Sequence, residues 1–149
     1  MSIKLLNFEH THTLNYVTMK IAVLIARSLF GLMFLVFGLN FFFPFLTMKA
    51  PAMSAQATAF SAGLAGSGYF FQFLKALEVI CGLALVLNRF TAFFLLVLLP
   101  ITINIFLFHV ELEPSGTAMA SAILIIHLFL GYAYRKYYAI LFTASPVAD

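Results

Sequence analysis

Cysteine occurs once in this chain, at Cys81, so no disulfide can close within it and no dithiol pair can cycle between redox states. Charge is nearly as scarce: 9% of the 149 residues are Asp, Glu, Lys or Arg, against 64% hydrophobic, far from a soluble composition. Polar faces at helical spacing are almost missing from the apolar stretches, which excludes an ordinary water-soluble bundle. There is no iron–sulfur or blue-copper signature, no internal repeat and no low-complexity tract. The formal net charge of +3 comes from eight basic residues spread along an apolar chain. They form no basic groove, which argues against nucleic acid as a partner, and report membrane topology instead.

What is present is a set of long apolar runs, at residues 21–43, 69–87, 92–110 and 118–134. A helix needs about 20 residues to cross the roughly 30 Å hydrocarbon layer. The first three runs suffice; the fourth is shorter, with Arg135 and Lys136 placed to snorkel and Tyr137 and Tyr138 at the interface. The fold expected is all-α: an antiparallel transmembrane four-helix bundle with a long extracytoplasmic loop between helices one and two. Its parts are a cytoplasmic arm (1–19), a membrane domain (20–141) and a short cytoplasmic tail (142–149). Residues 21–43 resemble a signal peptide, but the apolar core is too long, so they read as a retained anchor.

Orientation follows from the cations. Lys4, Lys20, Arg89, Arg135 and Lys136 fall on one side, with Arg27 a turn or two inside helix one; Lys49, Glu111 and Glu113 fall on the other. The positive-inside rule then places both termini in the cytoplasm of an inner-membrane, multi-pass protein. Within the long loop, residues 52–64 are expected to form a short helix on or in the outer face, ended by Gly66 and Gly68. Leu87-Asn88-Arg89-Phe90 reads as a tight turn, making helices two and three antiparallel neighbours.

Few polar groups remain inside the runs, and each asks for a partner. Phe71, Lys75, Glu78 and Gly82 share one stripe of helix two. Lys75 and Glu78 read as a mutual ion pair, with a proton-handling or ligand-orienting carboxylate as the sharper alternative and a protonated, hydrogen-bonded Glu78 as a third. Pro100 in helix three frees the carbonyl near Leu96 to accept another bond. By depth, Asn40, Lys75, Glu78 and Asn104 can meet in the outer half of the bundle, either as a site or as interhelical polar glue. His109 is about 140° from Asn104 around its helix, which suits an interface residue or an entrance.

His127 lies mid-helix in the fourth run and calls for a polar partner. Its depth differs from that of His109 by about 12 Å, which argues against bis-histidine haem. His10 and His12 have no further ligands nearby and read as solvated, so no metal site is expected. Cys81 beside Gly82 reads as a small packing residue. Gly31 and Gly38 share one face of helix one and allow close packing.

In this order the residues resemble the DoxX-like family of small four-helix membrane proteins. The matching features are Ala26-Arg27 with Gly31, Phe37-Gly38-Leu39-Asn40, Gly68-Tyr69-Phe70, and Lys75 to Glu78 with Cys81-Gly82. They continue through Leu87-Asn88-Arg89, Pro100-Ile101, Asn104-Ile105, Phe108-His109 and Glu113-Pro114-Ser115-Gly116. The resemblance implies an inner-membrane bundle with a prominent first extracytoplasmic loop. Some relatives are associated with thiosulfate oxidation coupled to quinone reduction, and Glu78, Asn104 and His109 are the positions here that would carry such a role, with Glu78 and His109 as the catalytic candidates.

The functional expectation is a small membrane accessory protein binding a quinone or other hydrophobic ligand through Asn40, Lys75, Glu78, Asn104 and His109. In that reading Glu78 or His109 takes a proton, Asn104 bonds a carbonyl and Lys75 stabilises negative charge. The alternatives are a quinone-linked oxidoreductase subunit and a structural or assembly subunit. The bilayer is the expected surrounding, with a homodimer or a membrane redox partner as further candidates.

Overall fold

The computed structural model describes residues 2–47 and 52–142, with side chains from residue 17 onward except those of residues 140 and 142. His10, His12, Lys4 and Lys49 therefore lie, as side chains, outside the described residues, as does the expected tail beyond Phe142.

Five helices follow one another: α1 (Ser2–Phe42), α2 (Ala55–Gly66), α3 (Phe70–Val86), α4 (Thr91–Glu111) and α5 (Thr117–Ala133). Short 3-10 turns occupy Pro114–Gly116 and Arg135–Phe142. The backbone of the expected N-terminal arm is continuous with α1, because no proline or glycine interrupts the chain before Gly31. Pro44 follows the end of α1, and the Asn40 side chain accepts the backbone N–H groups of Phe45 (3.0 Å) and Leu46 (2.7 Å) as the chain leaves the helix.

α2 is the short helix expected in the long connection. Ser54 caps it, its hydroxyl oxygen accepting the Ala57 N–H at 3.0 Å. At its far end Gly68 has φ +76, a left-handed conformation that a side chain would strain, and α3 leaves at 90° to α2. The Ser67 hydroxyl accepts the Phe70 N–H at 3.1 Å and so starts the next helix. α3 and α4 meet through the tight turn read from the sequence. Asn88 (φ 54) and Phe90 (φ 51) are both left-handed, Arg89 N–H reaches back to the Ala84 carbonyl at 2.9 Å, and the Thr91 hydroxyl donates to Asn88 Oδ1 at 3.1 Å.

Helices α1, α3, α4 and α5 pack in a ring, each touching the next, with α1 against α3 the most extensive contact. Glycine sets that contact. A Cβ on Gly82 would lie 2.5 Å from the Leu35 nitrogen and 2.7 Å from the Gly31 carbonyl oxygen, so backbone meets backbone there. Gly31 lies against Gly82 and Leu85, and Gly38 against Lys75 and Val79, which shows that the two helices run antiparallel. Phe30, Phe34, Cys81, Leu85, Leu95, Leu98 and Leu130 fill the centre. Cys81 is a buried packing residue.

The outside of the molecule is apolar, and the few polar side chains of the helices are turned into its apolar core. Leu24, Leu29, Phe93, Met119 and Ile125 are exposed on the outside, while Arg27, Glu78, Thr91, Thr102 and His127 are buried. An apolar exterior with its polar groups kept inside suits a hydrocarbon solvent. Val17–Phe42, Thr91–Glu111 and Pro114–Ala133 are each long and apolar enough to cross a membrane. α3, about 26 Å long at 1.5 Å per residue, makes a fourth crossing only together with the bent α2. The protein is thus a multi-pass helical membrane protein. One end carries α2 and the α4–α5 connection, the loop end; the other carries residues 87–90, the turn end.

Candidate functional site

Folding α2 back across α3 and α4 forms a half-open cavity of about 470 Å³ at the loop end, within the range of small-molecule sites. Its wall is mainly apolar, with Phe60 of α2, Phe71 of α3 and Pro100 and Phe108 of α4 contributing. The side chains of Asn104 and His109 bring polarity to it, with Ser61 opposite on α2. Both lie on the wall despite their angular separation on α4, because the cavity extends around that helix from the α3 side to the α2 side. A helical wheel does not anticipate a second wall supplied by the loop.

His109 is held rather than mobile on this wall. Its Nδ1 lies 3.1 Å from the Glu113 carbonyl, which can only accept, so Nδ1 carries the proton. In the neutral ring Nε2 is then an acceptor. The Thr117 hydroxyl donates to the His109 carbonyl at 3.1 Å, and Gly116 leaves the ring its space, since a Cβ there would collide with it.

Glu113 also ties α2 down. The Ser54 N–H donates to Glu113 Oε2 at 2.6 Å, the Ser54 hydroxyl to the Leu112 carbonyl at 2.6 Å, and the Ser115 hydroxyl to Glu113 Oε1 at 2.7 Å. The Ser54 amide first, and then the Ser115 hydroxyl, hold this carboxyl below the usual carboxylate range. α2 is therefore fastened at both ends, by the Gly68 bend and by Ser54. The sequence offered Glu113 and Ser54 as loop residues without a sign that they meet, because 58 intervening positions separate them.

The other residues singled out from the sequence take different places. Lys75 and Glu78 form the ion pair, Nζ to Oε2 at 2.8 Å, with the Glu78 side chain 4% and that of Lys75 24% exposed. Neither is on the cavity wall. Asn40 holds the backbone after α1 through its side-chain oxygen, and it too is away from that wall.

His127 finds its polar partners on α4, where Nε2 is 3.0 Å from the Leu95 carbonyl and Nδ1 is 2.8 Å from Thr102 Oγ1. The carbonyl can only accept, so Nε2–H donates to it, and Nδ1 of the neutral ring accepts from the Thr102 hydroxyl, whose one proton is shared with the Leu98 carbonyl 3.0 Å away. This places a bond at the turn preceding Pro100, one residue from the Leu96 carbonyl expected to be free. Thr102 was not anticipated; its only signal was its position two residues beyond the proline, facing the helix that carries a buried histidine. Phe30 closes the other side of the imidazole, edge-on at 5.2 Å. Among the described residues no group of three or more His, Cys, Asp or Glu is placed to hold a metal ion.

The DoxX family model matches residues 22–111, well over half of the chain and most of the ring of helices. No curated protein and no solved structure matches it.

Proposed function

Since the chain belongs to the DoxX family, we propose that it acts as a small membrane accessory protein holding an amphipathic ligand, a quinone being the class whose shape and polarity fit best. The observation that carries this reading is the loop-end cavity, in which an aromatic wall surrounds only a few polar side chains. A flat ring would lie among Phe60, Phe71 and Phe108. The Asn104 amide would donate to a ring carbonyl, and Nε2 of His109 would accept from the hydroxyl of the reduced form. Glu78 and Lys75 then act by fixing α3, the helix that carries the Phe71 side of the wall. The gathering of Arg89, Arg135 and Lys136 at the turn end supports a cytoplasmic turn end and an outward-facing cavity.

The test is mass spectrometry of lipid-soluble molecules retained after gentle purification, comparing wild type with Asn104→Leu and Glu78→Gln at matched folded yield. A quinone or other defined amphipathic molecule should be retained stoichiometrically by the wild type and lost from Asn104→Leu, with Glu78→Gln affected less. Bulk lipids alone in all three samples would remove the ligand reading and leave an assembly role.

A further inference from the structure

The loop-end cavity lies on one side of the bundle. Its wall comes from α2, α3 and α4, and none of the buried residues at the bundle centre takes part. Val97, Ile101 and Ile105 belong to the wall and are packed against that centre. The cavity is therefore a cleft on the outer side of the α3–α4 seam, roofed by α2. Phe73 and Pro100, both exposed, border it, so its open side faces the hydrocarbon layer.

Polarity is graded along the cleft. On α4 the wall runs from Val97 to His109, a length of about 18 Å at 1.5 Å per residue. Ser61, Asn104 and His109 mark the part nearer the loop end, whereas Leu77, Val97, Pro100 and Ile101 towards the turn end are all apolar. The chain reverses at residues 87–90, so Leu77 is level with Pro100, close to the middle of α4 (Thr91–Glu111). The inner end of the cleft thus lies near the middle of the membrane crossing.

One wall residue lacks a partner. Asn104 is exposed, and its side-chain amide makes no hydrogen bond among the described residues. It stands about 10 Å inside the loop end of α4, a depth at which an amide facing hydrocarbon is costly unless something bonds it. The wall contains no lysine, arginine or carboxylate, so a charged headgroup would enter the cleft without compensation. An amide, a hydroxyl and an imidazole suit a neutral head that both accepts and donates. Such a head occupies the outer part only, and the apolar inner part is left for a chain attached to it.

We propose that this cleft takes a single-tailed lipid with an uncharged head directly from the bilayer. The head is held under α2 at Asn104 and His109, and the tail lies along the apolar groove down to Leu77 and Val97. The occupant so defined deepens the ligand reading above, on which it rests, by fixing class, orientation and route. Ser54 fastens the roof to Glu113 and to the Leu112 carbonyl, so exchange runs sideways out of the α3–α4 seam and into the lipid.

The test uses the full-length protein in phosphatidylcholine vesicles, with a decyl benzoquinone carrying a diazirine at the tip of its tail dissolved in the same bilayer. After irradiation, labelled positions are mapped by mass spectrometry with and without excess decylubiquinone as competitor. Label that the competitor removes should concentrate at the inner end of the cleft, in residues 74–77 and 97–101. Leu77→Trp, which fills that end and leaves Asn104 and His109 in place, should lose this label; Val97→Phe serves the same purpose if Leu77→Trp does not fold. Competed label on α2 or on residues 105–113 would put the tail outwards and overturn the proposal, while leaving a ligand in the cavity. Competed label unchanged in the folded variants would overturn it equally. Label spread over the lipid-facing helices and untouched by the competitor would also overturn it, and the molecules retained on gentle purification then decide separately whether the cavity holds any ligand.

Discussion

The two ends of this bundle treat their buried charges in opposite ways. At the loop end they find partners within the chain: Lys75 with Glu78, Glu113 with Ser54 and Ser115, His109 with the Glu113 carbonyl. At the turn end Arg27 is buried with two nitrogens unpartnered. Both regions are built from helices of similar composition, so composition does not decide the outcome. The difference is where the acids fall: α3 brings Glu78 within one turn of Lys75, whereas α1 carries Arg27 to a level where no described acid lies. A closed network fixes a shape, and an open one needs something from outside.

Removing one member of a closed pair should have the largest effect. Lys75→Met leaves Glu78 buried and alone, and should lower stability by about 3 kcal/mol, read from unfolding in detergent. Arg27→Met is the matching change at the other end, with the opposite sign expected. In detergent it should raise stability by about 2 kcal/mol, because it replaces an unpaired buried charge with an apolar chain of similar length. A loss of stability there would erase the contrast between the two ends.

The smallest effect concerns the fastening of α2. The folded value for Glu113 lies below its ordinary 4.5, so its contribution is fully present above that pH and is lost as pH falls through the depressed value. Labelling of Ser61→Cys, on the cavity side of α2, should rise only on acidification below the ordinary range. In Glu113→Gln it should depend little on pH. A rise beginning well above that range, or one unchanged in Glu113→Gln, would show that Glu113 is not the controlling group.

The sequence carried the local features well. Helix ends, the short α2 and the 87–90 turn follow from proline, glycine and capping residues acting over a few positions, and the Lys75–Glu78 pair follows from helical spacing alone. Contacts between distant segments were harder to read. Asn104 and His109 share a wall only because α2 folds over α4, and the bonds that the Asn40 oxygen accepts from backbone N–H groups just beyond its own helix depend on how the chain leaves α1. Arg27 lies near enough to the end of its apolar run for a long cation to snorkel to the interface. That it is buried instead depends on how closely Gly31 and Gly82 let α1 approach α3, and a hydropathy profile has no measure of that distance.

The bond from His127 to the Leu95 carbonyl bears on how the chain enters the bilayer. Only a short connection separates α4 from α5, and the imidazole reaches both Leu95 and Thr102 across them. Either helix entering hydrocarbon alone would expose a bare imidazole or the backbone loosened by Pro100. Entering together, each conceals the other's polar atoms, so the natural unit of insertion is the α4–α5 hairpin. Sliding α5 by one turn would separate the histidine from both partners, and the same three residues thereby fix the relative depth of the two helices.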